Sequence, residues 1–113
     1  MQSVFHVDVR SEGRAAIIAV SGELDLASSP SLEAELKRVA DTGSELLVLD
    51  LRQLEFMDST GLSVIVKAHQ RLADEGRSLY VVRGSQQVQR LLDLTGVAER
   101  IALADTPEEI LDA

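Results

Sequence analysis

The sequence predicts a single α/β domain with a mixed, mostly parallel β-sheet and about four helices. Short apolar runs alternate with amphipathic helical patterns after an opening hairpin, which is typical of strand–helix–strand units. The chain has 113 residues, which is the length of one domain, and we expect that domain to span residues 1–113. Its apolar fraction of 45% allows a packed core, and the absence of cysteine excludes disulfides and thiolate metal sites.

The chain is expected to open with a β-hairpin. Residues 4–9 alternate between apolar and polar side chains, which indicates a strand with one buried face. Residues 11–14, Ser-Glu-Gly-Arg, have the composition of a turn. Residues 15–20 are almost entirely apolar and predict a second, more deeply buried strand.

The first helix is predicted from its start signals. Serine favours the N-cap and proline the first helical position, so Ser29 and Pro30 mark its beginning. Glu33 and Lys37 have the spacing of an ion pair on the outer side, and Gly43 is a plausible end. The residues that repeat at helical spacing and should face the core are Leu32, Leu36, Val39 and Ala40.

The next elements are a central strand, a long helix and another strand. Residues 46–51 form an almost continuous apolar run, which is typical of a central parallel strand. The helix is predicted from about Thr60 to Glu75 and should end at Gly76. Residues 79–82 predict the following strand. The side chains expected on the inner face of this helix are Leu62, Ile65, Val66, His69, Leu72 and Ala73.

Two short helices and a short strand complete the chain. The third helix should begin near Ser85, end at Gly96 and bury Val88, Leu91 and Leu92. Residues 101–104 predict a short strand, and residues 106–109 form a capping box that starts the last helix. The predicted order is β-β-α-β-α-β-α-β-α, with right-handed crossovers and one antiparallel edge strand. It leaves open the strand order and the distribution of the helices between the two faces.

Two polar segments follow strands of this predicted sheet. Residues 22–25 (Gly-Glu-Leu-Asp) come after the second strand, and residues 58–61 (Asp-Ser-Thr-Gly) come before the long helix. In α/β sheets, functional groups usually lie where strands give way to helices. We therefore expect both segments at the same edge of the sheet.

The histidines do not support a serine hydrolase. Ser59 would need a base within hydrogen-bond reach. His69 lies about 15 Å further along the same helix, at 1.5 Å per residue. Nothing in the sequence brings His6, on the opening strand, to this edge. No Gly-x-Ser-x-Gly motif is present.

Metal and cofactor sites are also not expected. Glu23, Asp25 and Asp58 could converge on a hard cation, but loop carboxylates of this kind are more often solvated. Glycine-rich phosphate-binding loops are absent from the sequence. We expect no metal, no cofactor and no catalytic residue.

The segment around Asp58 has the composition of a helix cap. Asp58 or Ser59 would accept a hydrogen bond from a first-turn amide, which is worth about 1 kcal/mol. Gly61 costs roughly 1 kcal/mol relative to alanine inside a helix, so its presence needs a reason. We expect it to expose the backbone so that another chain can approach closely. Phe56 and Met57 add apolar surface beside it, so the segment is predicted to be a contact site.

The stretch LDLRQLEFMDSTGL, with SGELDLAS upstream, resembles the bacterial anti-sigma factor antagonists built on the STAS domain. The resemblance covers about residues 4–111. It implies that Ser59 is phosphorylated by an anti-sigma factor that is also an ATP-dependent serine kinase. The unphosphorylated form would bind this kinase and free a sigma factor, and a PP2C-type phosphatase would restore it. By this resemblance the residues expected to contact the kinase are Glu23, Asp25, Met57, Asp58, Thr60, Gly61, Leu62 and Ser63.

Several alternatives stay open within this resemblance. Ser63 stands where many relatives have glycine, which could change the kinase that fits. Thr60 is a second possible phosphate acceptor. The chain could instead be a scaffold subunit of a transporter or sensory assembly, in which Ser59 is never modified. Residues that could set partner choice, because they follow Ser59 along one helix, are Val64, Lys67, Ala68 and Arg71.

The overall charge and hydropathy indicate where the protein works. The net charge of −8 argues against nucleic acid, whose phosphates would repel it. No apolar run approaches the ~20 residues that cross a bilayer. The first residues lack a basic and apolar signal pattern. We expect a cytoplasmic protein without membrane contact, monomeric when free.

Overall fold

The computed structural model describes residues 5–112, so Val4 of the predicted first strand lies outside the described residues. The strands are β1 (His6–Glu12), β2 (Ala15–Leu24), β3 (Leu46–Met57), β4 (Ser78–Val82) and β5 (Ala102–Ala104). The α-helices are α1 (Ser29–Ala40), α2 (Ser59–Asp74), α3 (Gln86–Leu94) and α4 (Pro107–Leu111), and Val97–Glu99 forms a 3₁₀ helix. The predicted fold class and element order are confirmed, and the 3₁₀ helix is an addition.

The five strands lie in one sheet in the order β1-β2-β3-β4-β5. β1 pairs antiparallel with β2, and the remaining neighbours pair parallel. Each crossover steps the same way along the sheet, and α1, α2 and α3 pack on one face of it, as expected for crossovers of one hand. The strand order, which the sequence left open, therefore also determines how the helices are distributed between the two faces of the sheet.

The core consists of two layers of unequal size. The larger layer lies between the sheet and the helices α1, α2 and α3. The smaller layer covers the opposite face around Ile17, Val48 and Val82, where Ile110 of α4 packs. Within residues 5–112, no helix has the length and hydropathy needed to cross a bilayer.

The two strands that lead into the polar segments are longer than predicted. β2 continues to Leu24 instead of Val20, and β3 continues to Met57 instead of Leu51. The extensions pair with each other through an irregular register. The extensions contain several polar residues, so the length of the apolar run underestimated the strands. The opening turn is correspondingly shorter, because β1 runs to Glu12.

Several local predictions for α1 and α2 are wrong. The N-cap of α1 is Ser28, one residue before the predicted Ser29. Ala73 is exposed, because it follows Leu72 by about 100° around the helix, at 3.6 residues per turn. Val64 is only 8% exposed because it faces the core, so it has little surface for selecting a partner. Lys37 forms no ion pair with Glu33 or with another carboxylate of residues 5–112.

Candidate functional site

The two polar segments meet at one edge of the sheet. Leu24 and Met57 are register partners at the carboxyl ends of the parallel strands β2 and β3. The backbone N–H of Asp58 donates to the carbonyl of Leu24 at 3.1 Å, so the pairing continues into the second segment. The prediction that both segments share an edge is therefore confirmed.

Asp58 is the N-cap of α2. Its backbone is extended, and its Oδ1 accepts hydrogen bonds from the N–H of Thr60 at 2.9 Å and of Gly61 at 3.2 Å. Two of the amides that lack partners within the helix are thereby satisfied by one carboxylate oxygen. The sequence left the choice between Asp58 and Ser59 open, and the aspartate makes the cap.

Ser59 is the first residue of α2 and is exposed. Because Asp58 supplies the cap, the Ser59 hydroxyl is not needed for it, and it has no hydrogen-bond partner among residues 5–112. The alcohol therefore lies free at the positive end of a sixteen-residue helix. An enzyme from outside can reach it, and a negative group attached there would be favoured by the helix dipole.

Gly61 is explained by packing inside the molecule. It is buried, and a Cβ placed on it would lie 2.5 Å from Cγ of Leu24 and 3.2 Å from Cγ of Met57. Only glycine lets the first turn of α2 approach the end of β2 this closely. The prediction that Gly61 exposes its backbone to another chain is therefore wrong, because Leu24 occupies that space.

The backbone of Met57 is held by Gln87 of α3. The Gln87 Nε2 donates to the Met57 carbonyl and its Oε1 accepts from the Met57 N–H, each at 3.0 Å. β3 is longer than β4, whose last paired residue is Val82, so Met57 has no β4 neighbour. The side-chain amide takes the place of that missing strand. Sequence analysis did not identify Gln87, and no local signal could have found it.

Asp25 organises the turn before α1. Its Oδ1 accepts from the N–H of Ala27 and of Ser28, each at 3.1 Å, and from the Ser28 hydroxyl at 3.0 Å. These hydrogen bonds, mainly from Ser28, lower the pKa of the Asp25 carboxyl. The Ser28 Oγ also accepts from the Asp25 N–H, and the Ser29 hydroxyl donates to the Asp25 carbonyl at 2.6 Å. The serines of this segment are therefore engaged internally.

The predicted contact residues differ in accessibility. Glu23, Ser59 and Ser63 are exposed, and Asp25, Asp58 and Thr60 are partly exposed. Met57, Gly61 and Leu62 are buried, so they support the segment from beneath and offer little side-chain surface to a partner. Two apolar side chains that the contact prediction did not include are exposed in these segments, Leu26 at 74% and Phe56 at 39%.

The structure places neither histidine beside Ser59. His6 pairs with Ser21 near this edge, contrary to expectation, because β1 runs antiparallel to β2. It alternates with Val7 and therefore lies on the sheet face opposite to α2. His69 is on α2 and lines a small cavity together with Val97 of the 3₁₀ helix. Among residues 5–112, no group of three His, Asp or Glu side chains is arranged to hold a metal ion.

The chain is similar to known proteins over most of its length. A family model described as the STAS domain matches residues 6–110. The chain is 32% identical over 103 residues to the anti-sigma-B factor antagonist of Bacillus subtilis (strain 168), covering 91% of this chain and 94% of that protein. The crystal structure of an anti-sigma factor antagonist from Mycobacterium paratuberculosis is similar with a TM-score of 0.90 at 28% identity, covering 96% of this chain and 92% of that one.

A more distant neighbour shows the same fold. The anti-sigma factor antagonist SpoIIAA in its unphosphorylated form has a TM-score of 0.80 at 21% identity. The similarity covers 95% of this chain and 94% of the SpoIIAA chain.

Proposed function

The chain belongs to the STAS domain family, and on this premise we propose that it is an anti-sigma factor antagonist whose binding is switched off by phosphorylation of Ser59. In this proposal the unphosphorylated form binds an anti-sigma factor serine kinase and a sigma factor is released. A PP2C-type phosphatase removes the phosphate and restores binding. The support from the relatives is that the 32% identical protein, an anti-sigma-B factor antagonist, aligns over 91% of this chain.

The observation that carries the proposal is the free hydroxyl of Ser59. It is exposed, it begins α2, and it is not used by the cap, because Asp58 binds the amides of Thr60 and Gly61. By contrast, the hydroxyls of Ser28 and Ser29 are hydrogen-bonded within their own segment. Modification of Ser59 therefore costs no internal hydrogen bond, and Ser59, unlike the exposed Ser63 one turn further along, lies at the N-terminus of the helix.

A partner surface around Ser59 would combine apolar and acidic groups. Leu26 and Phe56 are exposed apolar side chains in the segments that meet here. Glu23 and Asp25 lie on β2 and the turn after it, beside the end of β3. We propose that these residues contact the anti-sigma factor together with Asp58, Thr60 and Ser63. Met57, Gly61 and Leu62 shape the surface from below.

Electrostatics explain how phosphorylation would release the partner. A phosphoserine carries about −1.5 to −2 charges at pH 7. In the free protein that charge lies at the N-terminus of α2, where the dipole favours anions. In a complex it would be buried beside Asp58 and close to other carboxylates. Burying a charge without a cationic partner costs several kcal/mol, so affinity should fall about a thousandfold, since each 1.4 kcal/mol is tenfold.

Mass spectrometry after incubation with an anti-sigma factor kinase and ATP tests the proposal. The protein should gain one phosphate, on Ser59, and the Ser59→Ala variant should gain none. Treatment with a PP2C-type phosphatase should return the original mass. Phosphate on Thr60 or Ser63 in place of Ser59 would contradict the assignment. Recovery of a transporter subunit and no kinase in a pull-down would favour the scaffold function instead.

A further inference from the structure

A second candidate site lies in a groove between α1 and α2. The groove has a volume of about 210 Å³, and its floor reaches the sheet at Leu47 of β3. Along α2 it begins at Val64, which is about 7.5 Å from Ser59 at 1.5 Å per residue. Its lining consists of Glu33, Leu36, Lys37, Ala40, Leu47, Val64, Lys67, Ala68, Arg71 and Leu72. No residue of the segments 22–25 and 58–61 lines the groove, so it is distinct from the edge that carries Ser59.

Small side chains create the groove. Ala40 of α1 and Ala68 of α2 both line it, and a methyl group does not fill the space between two helices. The other walls are the apolar side chains of Leu36, Val64 and Leu72. Space with such walls is poorly hydrated, because water finds no hydrogen-bond partners there. The interior of the groove therefore suits an apolar group.

The rim of the groove has the opposite character. Lys37 and Lys67, the only lysines in the sequence, stand on α1 and α2 and are exposed. Neither forms an ion pair with a carboxylate of residues 5–112. Arg71 is already paired with Asp41 at 2.8 Å and with a second carboxylate.

The unpaired charges on the rim favour a ligand that carries a single negative charge. Arg71 is taken up by Asp41 and Glu75, so the charges of the lining without a partner are Lys37, Lys67 and Glu33, an excess of one positive charge. In a chain whose net charge is −8, such a local excess of positive charge is unusual. A monoanion would balance it, whereas a dianion such as a phosphate monoester would also be repelled by Glu33.

We propose that this groove binds a linear alkyl monocarboxylate, a short or medium-chain fatty acid. Its chain would lie between Ala40 and Ala68, and its carboxylate would bind Lys37 and Lys67. A cavity of about 150 Å³ accepts benzene, so this groove fits a chain of about eight carbons. It is smaller than the 300–1,000 Å³ or so of drug-sized sites, which argues against nucleotides.

Titration of the ¹⁵N-labelled full chain with octanoate, followed by amide chemical shifts, tests the proposal. Saturable shifts are expected at residues lining the groove. 1-Octanol should bind about tenfold more weakly, because it lacks the charge-assisted hydrogen bonds to the lysines. Acetate should not give saturable shifts, because it has no chain to bury.

Matched variants separate the two parts of the site. Lys67→Gln should weaken octanoate about tenfold and leave 1-octanol unchanged, whereas Arg90→Gln, on α3, should change neither. Ala68→Leu fills the groove and should abolish binding of both. Ala73→Leu, at an exposed position on the same helix, is its control. Thermal unfolding of each variant shows whether it is folded.

Three outcomes would overturn the proposal. Octanoate and 1-octanol could bind equally, which would remove the role of the lysines. Ala68→Leu could bind octanoate like the unsubstituted chain, which would place the ligand elsewhere. Chemical shifts at the groove could depend on the protein concentration and not on the added ligand. This result would identify the occupant as a second copy of this chain. None of these outcomes depends on whether Ser59 is phosphorylated.

Discussion

The two polar segments that meet at one edge of the sheet both contain a capping aspartate, but they leave their serines in different states. Each contains an aspartate whose Oδ1 accepts hydrogen bonds from amides a few residues further on, Asp25 before α1 and Asp58 before α2. In the first segment the neighbouring serines are engaged, since the one hydroxyl proton of Ser28 has both the Glu23 carbonyl and Asp25 Oδ1 within hydrogen-bond distance. In the second, Ser59 has no such partner. A serine becomes available for modification when the residue before it performs the capping.

The largest expected effect is on the affinity for the anti-sigma factor. Ser59→Asp should weaken binding about a hundredfold or more, because a charge would be buried beside Asp58. It should weaken binding less than phosphate does, since aspartate carries less charge. Ser59→Ala should bind like the unsubstituted chain. Isothermal titration calorimetry measures each affinity.

Ser78→Asp is the matched control for that experiment. Ser78 is exposed at the start of β4, at the opposite edge of the sheet, so the same added charge should leave affinity unchanged. Equal losses for Ser59→Asp and Ser78→Asp would show that net charge, and not the position of Ser59, controls binding. Unchanged affinity for Ser59→Asp would contradict the electrostatic account.

The second prediction concerns the contact that joins the two segments. Gly61→Ala would place a Cβ 2.5 Å from Cγ of Leu24, so either the Leu24 side chain or the start of the helix must shift. We expect a loss of about 2 kcal/mol in the free energy of unfolding, the usual cost of an overpacked core. Urea denaturation measures this loss.

A double variant tests whether that cost arises from Leu24. Leu24→Ala alone should cost about 2–5 kcal/mol, as for other buried leucines. It also removes the atoms that a Cβ at Gly61 would meet, so the double variant should be less destabilised than the sum of the two. Simple additivity would show that Gly61 is required for another reason.

The third prediction concerns support that only the Ser59 segment receives. Gln87→Ala removes both hydrogen bonds to the Met57 backbone. It should cost roughly 1 kcal/mol and speed hydrogen exchange of the Met57 amide. Gln86→Ala, one residue earlier on the same helix, should have neither effect. Equal exchange rates in the two variants would mean that Met57 is held by the strand pairing alone.

Local chemistry was predictable from the sequence, and contacts between distant segments were not. The start of α2, the shared edge and the acid before Ser59 all follow from signals within a few residues. Gln87 and Met57 are 30 residues apart, and their pairing depends on the unequal lengths of β3 and β4. The sequence marked Gly61 as unusual, but the predicted reason was wrong, because Leu24, which packs against it, lies on β2 and is distant in the sequence.

The smallest predicted effect distinguishes the first segment by its response to acid. The hydrogen bonds from Ser28 and Ala27 lower the pKa of Asp25 in the folded protein. A lowered folded-state pKa gives stability that is present above the unfolded pKa of about 3.9 and is lost as pH falls through the folded value. Asp25→Asn cannot lose that contribution. The difference in the free energy of unfolding between the two proteins should therefore shrink as pH falls from 6 to 3, measured by urea denaturation at each pH. A difference that stays constant over this range would mean that the turn before α1 does not depend on the ionised carboxylate, and that Ser28 alone organises it.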